Sequence, residues 1–285
     1  MQHETKAHMK HLLFIPIILA FIACQKSTPT TEQPVASTQS TEQAANKLLI
    51  EAQTMLNNGQ WQQARLIIDS LHKTYPKNVN QRRIANTIKD SITCLEAQQT
   101  IAYVDSVLPS LEKQVDALIK RFKYEKNEKY EDHGKYVHRL LVTNTNTSRN
   151  FIQAYILDNK KTIVKSYYYG NYKVNQQTLN IKSDEQEQTF SGSNHHFQDG
   201  AHHEIMTLSE EDALELLKFV SSHQKSRVRV EGIGDKPTRN WVYYLNDKEK
   251  EALSDTYQLG WLMKDINKLE NMKNSAYMQI NYFNR

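Results

Sequence analysis

The chain has 285 residues and a formal charge of +4, with 36 basic and 32 acidic side chains interleaved along its length. That interleaving excludes the basic stripe of a nucleic-acid binder, and only 8 glycines and 6 prolines exclude a glycine-rich phosphate-binding design. Fifteen tyrosines are the one unusual count.

In chain order, the first element is an apolar run, Leu12 to Ala23, as long as a secretory h-region and too short to span a bilayer comfortably. Met9-Lys10-His11 makes a more ordinary n-region than the first four residues, so translation is expected to start at Met1 or Met9. The run ends Phe21-Ile22-Ala23-Cys24, which resembles a bacterial lipobox with phenylalanine in place of the usual leucine. The resemblance implies cleavage before Cys24 and acylation of that residue. Three acyl chains, at roughly 0.8 kcal/mol per buried methylene, exceed the two signals that stable anchoring needs. Gln25, rather than an aspartate, and the lack of an acidic cluster after it imply an outer-membrane, periplasm-facing lipoprotein. Cys94 is then the one unmodified cysteine, a small packing residue in a helical pattern, and no intrachain disulfide is possible.

Residues 24–43 are rich in Ser, Thr, Gln and Pro without apolar periodicity, and are expected to form a disordered linker after the 1–23 signal peptide. Residues 44–78 read as a helical pair around Asn57-Asn58-Gly59. Leu48, Ala52 and Met55 line the first helix, Trp61, Ala64, Ile68 and Leu71 the second, and Pro76 stops it. This spacing resembles a single tetratricopeptide unit. Solenoids of that family need about three or more units, so no peptide groove is implied.

Residues 79–130 continue as a long helix with a kink near Pro109; Leu108, Leu111, Val115, Leu118 and Phe122 form an apolar seam. At the other end, 246–285 begin with a capping box, Asn246 to Glu249, and carry Leu253, Leu259, Leu262, Ile266 and Ala276 at helical spacing. The two seams are expected to pack antiparallel as a stalk. Between them, 136–245 consist of short β-branched and aromatic runs ("FIQAYILDN", "TIVKSYYYGNYKV", "QTLNIKS", "SRVRVEG", "NWVYYLN") and one helix from Ser209 to about Ser222. The expected fold class is therefore α+β: a helical hairpin, a two-helix stalk and an inserted, mainly antiparallel β-domain carrying one helix. This layout, with the run "ARLIIDSLHKTYPKNVNQRR", is similar to uncharacterised envelope lipoproteins of the Bacteroidota type, a resemblance that supplies no catalytic residues.

Three clusters carry chemistry. Tyr167, Tyr169 and Tyr172, with Trp241, offer rings for stacking on sugars or on a partner, against an alternative in which they fill a half-wet sheet. Tyr167 and Tyr169 share one strand face, and Tyr168 points the other way. Arg227 and Arg229 share a strand face that suits a carboxylate or phosphate, or else cross-strand ion pairs. His195, His196, His202 and His203, beside Asp199 and Glu204, have the residue types of a zinc or copper site. Adjacent histidines in an extended segment diverge, however, and no HExxH helix is present, so "NHHFQDGAHHE" is expected to be a solvated loop and no metal or other cofactor is assigned. No nucleophile elbow or Ser/His/Asp order is found. The expectation is a non-enzymatic, lipid-anchored envelope protein whose β-domain contacts a protein partner, or alternatively a glycan.

Overall fold

The computed structural model describes residues 35–141, 148–236 and 238–283. The segment expected to be a signal peptide, Cys24 and the first part of the expected linker lie outside the described residues. Among the described residues, no helix is long and apolar enough to cross a membrane.

Three helices open the fold: α1 (Val35–Asn57), α2 (Trp61–Thr74) and α3 (Val79–Leu118). Ala64 on α2 is fully buried and lets α1 and α2 approach, and Leu49, Ala52, Ile68, Leu71, Ala85, Ile88 and Ile92 close one apolar cluster between all three. Gly59 turns the chain between α1 and α2 at φ +72°, a conformation that penalises residues with a Cβ. Arg65 on α2 bridges to Glu96 on α3 and donates to the Thr93 hydroxyl at 3.0 Å. The polar stretch is helical from Val35 onward, so the linker expected over 24–43 is corrected there: Gln39, Glu42 and Gln43 are good helix formers, and Glu42 docks the stretch on α3 by accepting from Gln81 at 3.0 Å.

α3 runs without interruption through Pro109, which faces solvent. The helix does not restart there, and Ser106 bonds back to the Tyr103 carbonyl at 2.7 Å rather than capping a new helix. Nor does it reach residue 130. It ends at Leu118, passes through one 3-10 turn and gives way to β1 (Phe122–Glu125), with Phe122 buried against Leu259 and Ile156. The apolar spacing is shared by a helix seam and by the strand that follows it, so periodicity alone overran the boundary.

The remaining strands are β2 (Lys135–His138), β3 (Phe151–Leu157), β4 (Thr162–Gly170), β5 (Thr178–Ser183), β6 (Gln186–Asp199), β7 (Ala201–Leu208), β8 (Val228–Ile233) and β9 (Asn240–Tyr244), with α4 (Glu210–Ser222) between β7 and β8 and α5 (Asp247–Phe283) closing the chain. They form one nine-stranded antiparallel sheet in the order β1-β2-β3-β4-β7-β6-β5-β8-β9. Asp158 to Lys160 turn β3 into β4. Gly170-Asn171, by contrast, is not a hairpin turn, because β4 pairs with β7 and the chain crosses to β5 instead.

Both terminal helices of this region are capped as their sequences predict. Asn246 N–H donates to Glu249 Oε2 and Glu249 N–H to Asn246 Oδ1, each at 3.0 Å; Ser209 Oγ accepts from Asp212 N–H at 3.1 Å. One face of the sheet buries Ile152, Ala154, Val164, Leu179, Ile181, Met206 and Val230 under Leu216, Leu217 and Val220 of α4 and Leu253 of α5. Gly260 allows α5 its approach to β4: a Cβ there would stand 2.6 Å from Thr162 Oγ1. α5 also runs antiparallel beside α3, with Arg121, just after α3, 2.9 Å from Asp255 and Asp105 paired with Lys273.

Candidate functional site

The sheet's other face is uncovered by α4 and α5, and its character changes along its width. At the β5-β8-β9 end it is polar: Arg229 pairs with Glu231, Asn180 donates to Glu187 at 2.6 Å, and the Arg227 guanidinium lies 3.7 Å from the Tyr244 ring centroid. At the β2-β3-β4-β7-β6 end it becomes a cleft of about 510 Å³ lined by aromatic and basic side chains. That volume is within the range of small-molecule sites.

The pleat builds the cleft. Odd-numbered residues of β3 and β4 share the open face: Phe151, Gln153 and Tyr155 on one strand, Lys165, Tyr167 and Tyr169 on the next. The register sets Phe151 opposite Tyr167, whose ring it stacks at 4.4 Å and 6°, and Tyr169 opposite His203. His203 in turn stacks on Phe197 at 4.5 Å and 7°, and meets Tyr169 at 67°. The result is two rungs of rings across four strands. Tyr169 meets His203 at an angle and is stacked face to face on no ring among the described residues.

Basic groups rim these rings. Lys135 and Lys165 lie 5.9 and 5.8 Å from the Tyr155 ring, and Arg149 lies 5.7 Å from Phe151. Lys135 is held by Glu131 at 3.1 Å and Arg149 by Glu249 at 3.3 Å, whereas Lys165 has no acidic partner among the described residues. Burial pushes the Tyr155 and Tyr167 phenols up, against a smaller opposing pull from Lys135 and Lys165 respectively, so both stay protonated donors at neutral pH. Asp199 is the one acid in the lining.

Of the residues singled out in the sequence, Tyr167, Tyr169 and His203 come together here, and His195 neighbours Phe197 at 6.3 Å. Trp241 does not join them: it is 5 % exposed on the packed face, stacked between Tyr168 and Tyr243. Tyr172 is exposed at the sheet's end, its hydroxyl donating to the Asn240 carbonyl at 2.9 Å. Arg227 and Arg229 share the open face but lie beyond β5.

The histidine stretch is not a loop but the long hairpin β6–β7, turned at Asp199-Gly200, a strong hairpin signal that its polar composition masks. Alternation separates the set: His195 and His203 face the cleft side, while His196 and His202 meet on the opposite side, Nε2 to Nδ1 at 3.0 Å. No group of three or more His, Cys, Asp or Glu able to hold a metal is found among the described residues.

Sequence reasoning missed Phe151, Tyr155, Lys165, Phe197, Lys135 and Arg149. The signal for the first two was legible in "FIQAYIL", where Ile152, Ala154 and Ile156 alternate against Phe151, Gln153 and Tyr155. The cross-strand partners were not, because register is a tertiary fact.

Two other buried polar groups are structural clamps. Glu204, fully buried, accepts the backbone N–H groups of Val174, Asn175 and Gln176 at 2.7, 2.7 and 2.6 Å and the Asn194 amide at 2.8 Å. Burial pushes its carboxyl up, but the hydrogen bonds from Gln176, Asn175, Asn194 and Val174 together outweigh that and leave it below its ordinary value. It thereby pins the β4–β5 crossover across β7 and β6. His138, equally buried, receives the Leu140 N–H on Nδ1 at 3.2 Å, so Nε2 carries the proton and donates to Asp255 at 3.0 Å. Nε2 thus ties β2 to α5, while Nδ1 holds the turn that follows β2.

A larger groove, about 850 Å³, runs along α5 beside Trp261 and Met272, but almost all of its lining comes from one helix, so a ligand there meets a single wall. The cleft draws its lining from five strands and from Ser148 and Arg149 ahead of β3. No family model, curated protein or solved structure matches the chain.

Proposed function

We propose that this is a lipid-anchored, non-catalytic envelope protein, tethered to the outer membrane through acylated Cys24, that holds its β-domain out on the antiparallel α3–α5 pair and binds a glycan on the open face of the sheet. The observation that carries this is the cleft itself. It is concave, near 510 Å³, with Tyr169 beside two stacked ring pairs and with the phenol hydroxyls of Tyr155, Tyr167 and Tyr169 making no hydrogen bond among the described residues. A ring face accepts the C–H side of a sugar, and hydroxyl groups around it bond the sugar's own. Protein partners, by contrast, need about 800 Å² of surface on each side, more than a cleft this narrow offers.

Two measurements test this. A glycan array probed with the full chain in detergent should show binding that Tyr169→Ala removes. Cys24→Ser should release the protein from the membrane fraction and abolish incorporation of labelled palmitate; an unchanged fraction would refute the anchor.

A second reading, contact with a protein partner, is favoured by β9. This strand ends the sheet with Val242 39 % and Tyr244 44 % exposed, and pairs on one side only. An extended segment of a partner can add to such an edge. A Val242→Lys change should abolish pull-down of that partner and leave glycan binding intact.

A further inference from the structure

The cleft's polar groups are unevenly signed. Lys135, Arg149 and Lys165 surround it against a single acid, Asp199. Lys135 and Arg149 already have carboxylate partners in Glu131 and Glu249, so their charges are largely spoken for. Lys165 has none among the described residues, and lies instead over the Tyr155 ring. It stands mid-strand on β4, next to Tyr167 on the same face and opposite Gln153 on β3. Gln153 is 5 % exposed, lines the cleft, and makes no side-chain hydrogen bond among the described residues.

The hydroxyls of Tyr155, Tyr167 and Tyr169 likewise make no hydrogen bond among the described residues, and at least the first two keep their protons at neutral pH. Phe151 with Tyr167, and Phe197 with His203, spend a face on each other, which withdraws those faces from a sugar ring. A cation and a buried amide without partners among the described residues, together with donor hydroxyls, suit a negatively charged acceptor.

We propose that the glycan bound in this cleft is an acidic one, carrying a carboxylate or sulfate that Lys165 and the hydroxyl of Tyr167 receive while a sugar ring rests on Tyr169. This rests on the glycan-binding reading above and adds its charge. Lys165 is a binding residue here, with Gln153 bonding the same acid group or the adjacent hydroxyl.

The test uses the full chain in detergent and length-matched probes: tetragalacturonate, its fully methyl-esterified form, a sulfated tetrasaccharide, and a panel of acidic and neutral oligosaccharides. Acidic members are expected to bind, with affinity falling as salt rises. Lys165→Gln should weaken them about tenfold or more, the effect of losing one charge-assisted hydrogen bond, and leave the neutral members and the thermal midpoint unchanged; Lys165→Arg should restore binding. The carboxylate and sulfate probes tell the two acid groups apart, and binding of either supports the inference. If neutral members or the methyl ester bind as well as the acids, or Lys165→Gln has no effect, the acidic assignment is overturned while glycan binding stands. If no member of either class binds, both fall.

Discussion

The two faces of β4 differ more than any two regions of the molecule. Thr162, Val164, Ser166 and Tyr168 point into the core, each 4 % exposed or less, and every one answers to packing or hydrogen bonding. Ile163, Lys165, Tyr167 and Tyr169, interleaved with them, face the cleft. The packed face is held by α4, α5 and the Glu204 clamp; the open face carries stacked rings and Lys165, a cation without an acidic partner among the described residues.

The difference can be attacked from both sides. The largest effect is expected from Ile152→Ala, which empties a core position on β3 with 1 % exposure and should cost about 2–5 kcal/mol in urea unfolding. Glu204→Gln should follow at about 2–3 kcal/mol, because it removes charge from a carboxylate that accepts four hydrogen bonds. Its pH signature is specific. The folded carboxyl titrates below its ordinary value, so its contribution is present above the unfolded pKa and is lost as pH falls through the folded one. Wild-type stability should therefore decline on acidification below the ordinary glutamate range, and that part of the slope should vanish in Glu204→Gln.

Gly260→Leu forces a side chain against Thr162 and should cost about 2 kcal/mol, seen as a lower thermal midpoint. Smallest for stability is Tyr169→Ala on the open face, at about 1 kcal/mol or less, yet it should remove glycan binding. A Tyr169→Ala variant that unfolds like Ile152→Ala would erase the distinction between the faces.

Much of the fold was legible. The N-cap at Ser209, the capping box at Asn246, the Gly59 turn and the β character of 136–245 follow from local chemistry, since each needs only neighbours in sequence. The end of α3 was not legible, because Phe122 continues the apolar spacing while belonging to a strand. The hairpin at Asp199-Gly200 was obscured by four histidines, although its turn signal was present. Trp241 misled for a related reason: composition places an aromatic in a strand, and only the partner strand decides which face is covered.

The sequence by itself determined the helical pair around Gly59, the caps of α4 and α5 and the β character of 136–245, because those depend on backbone sterics and on hydrogen bonds within a few residues. The tertiary structure alone decided that β7 sits beside β4. That pairing sets Tyr169 against His203, and Lys165 finds no acidic partner among the described residues. Strand order and register are settled by the burial of a whole face against α4 and α5, a free energy summed over dozens of side chains far apart in the chain, which no local stretch of sequence encodes.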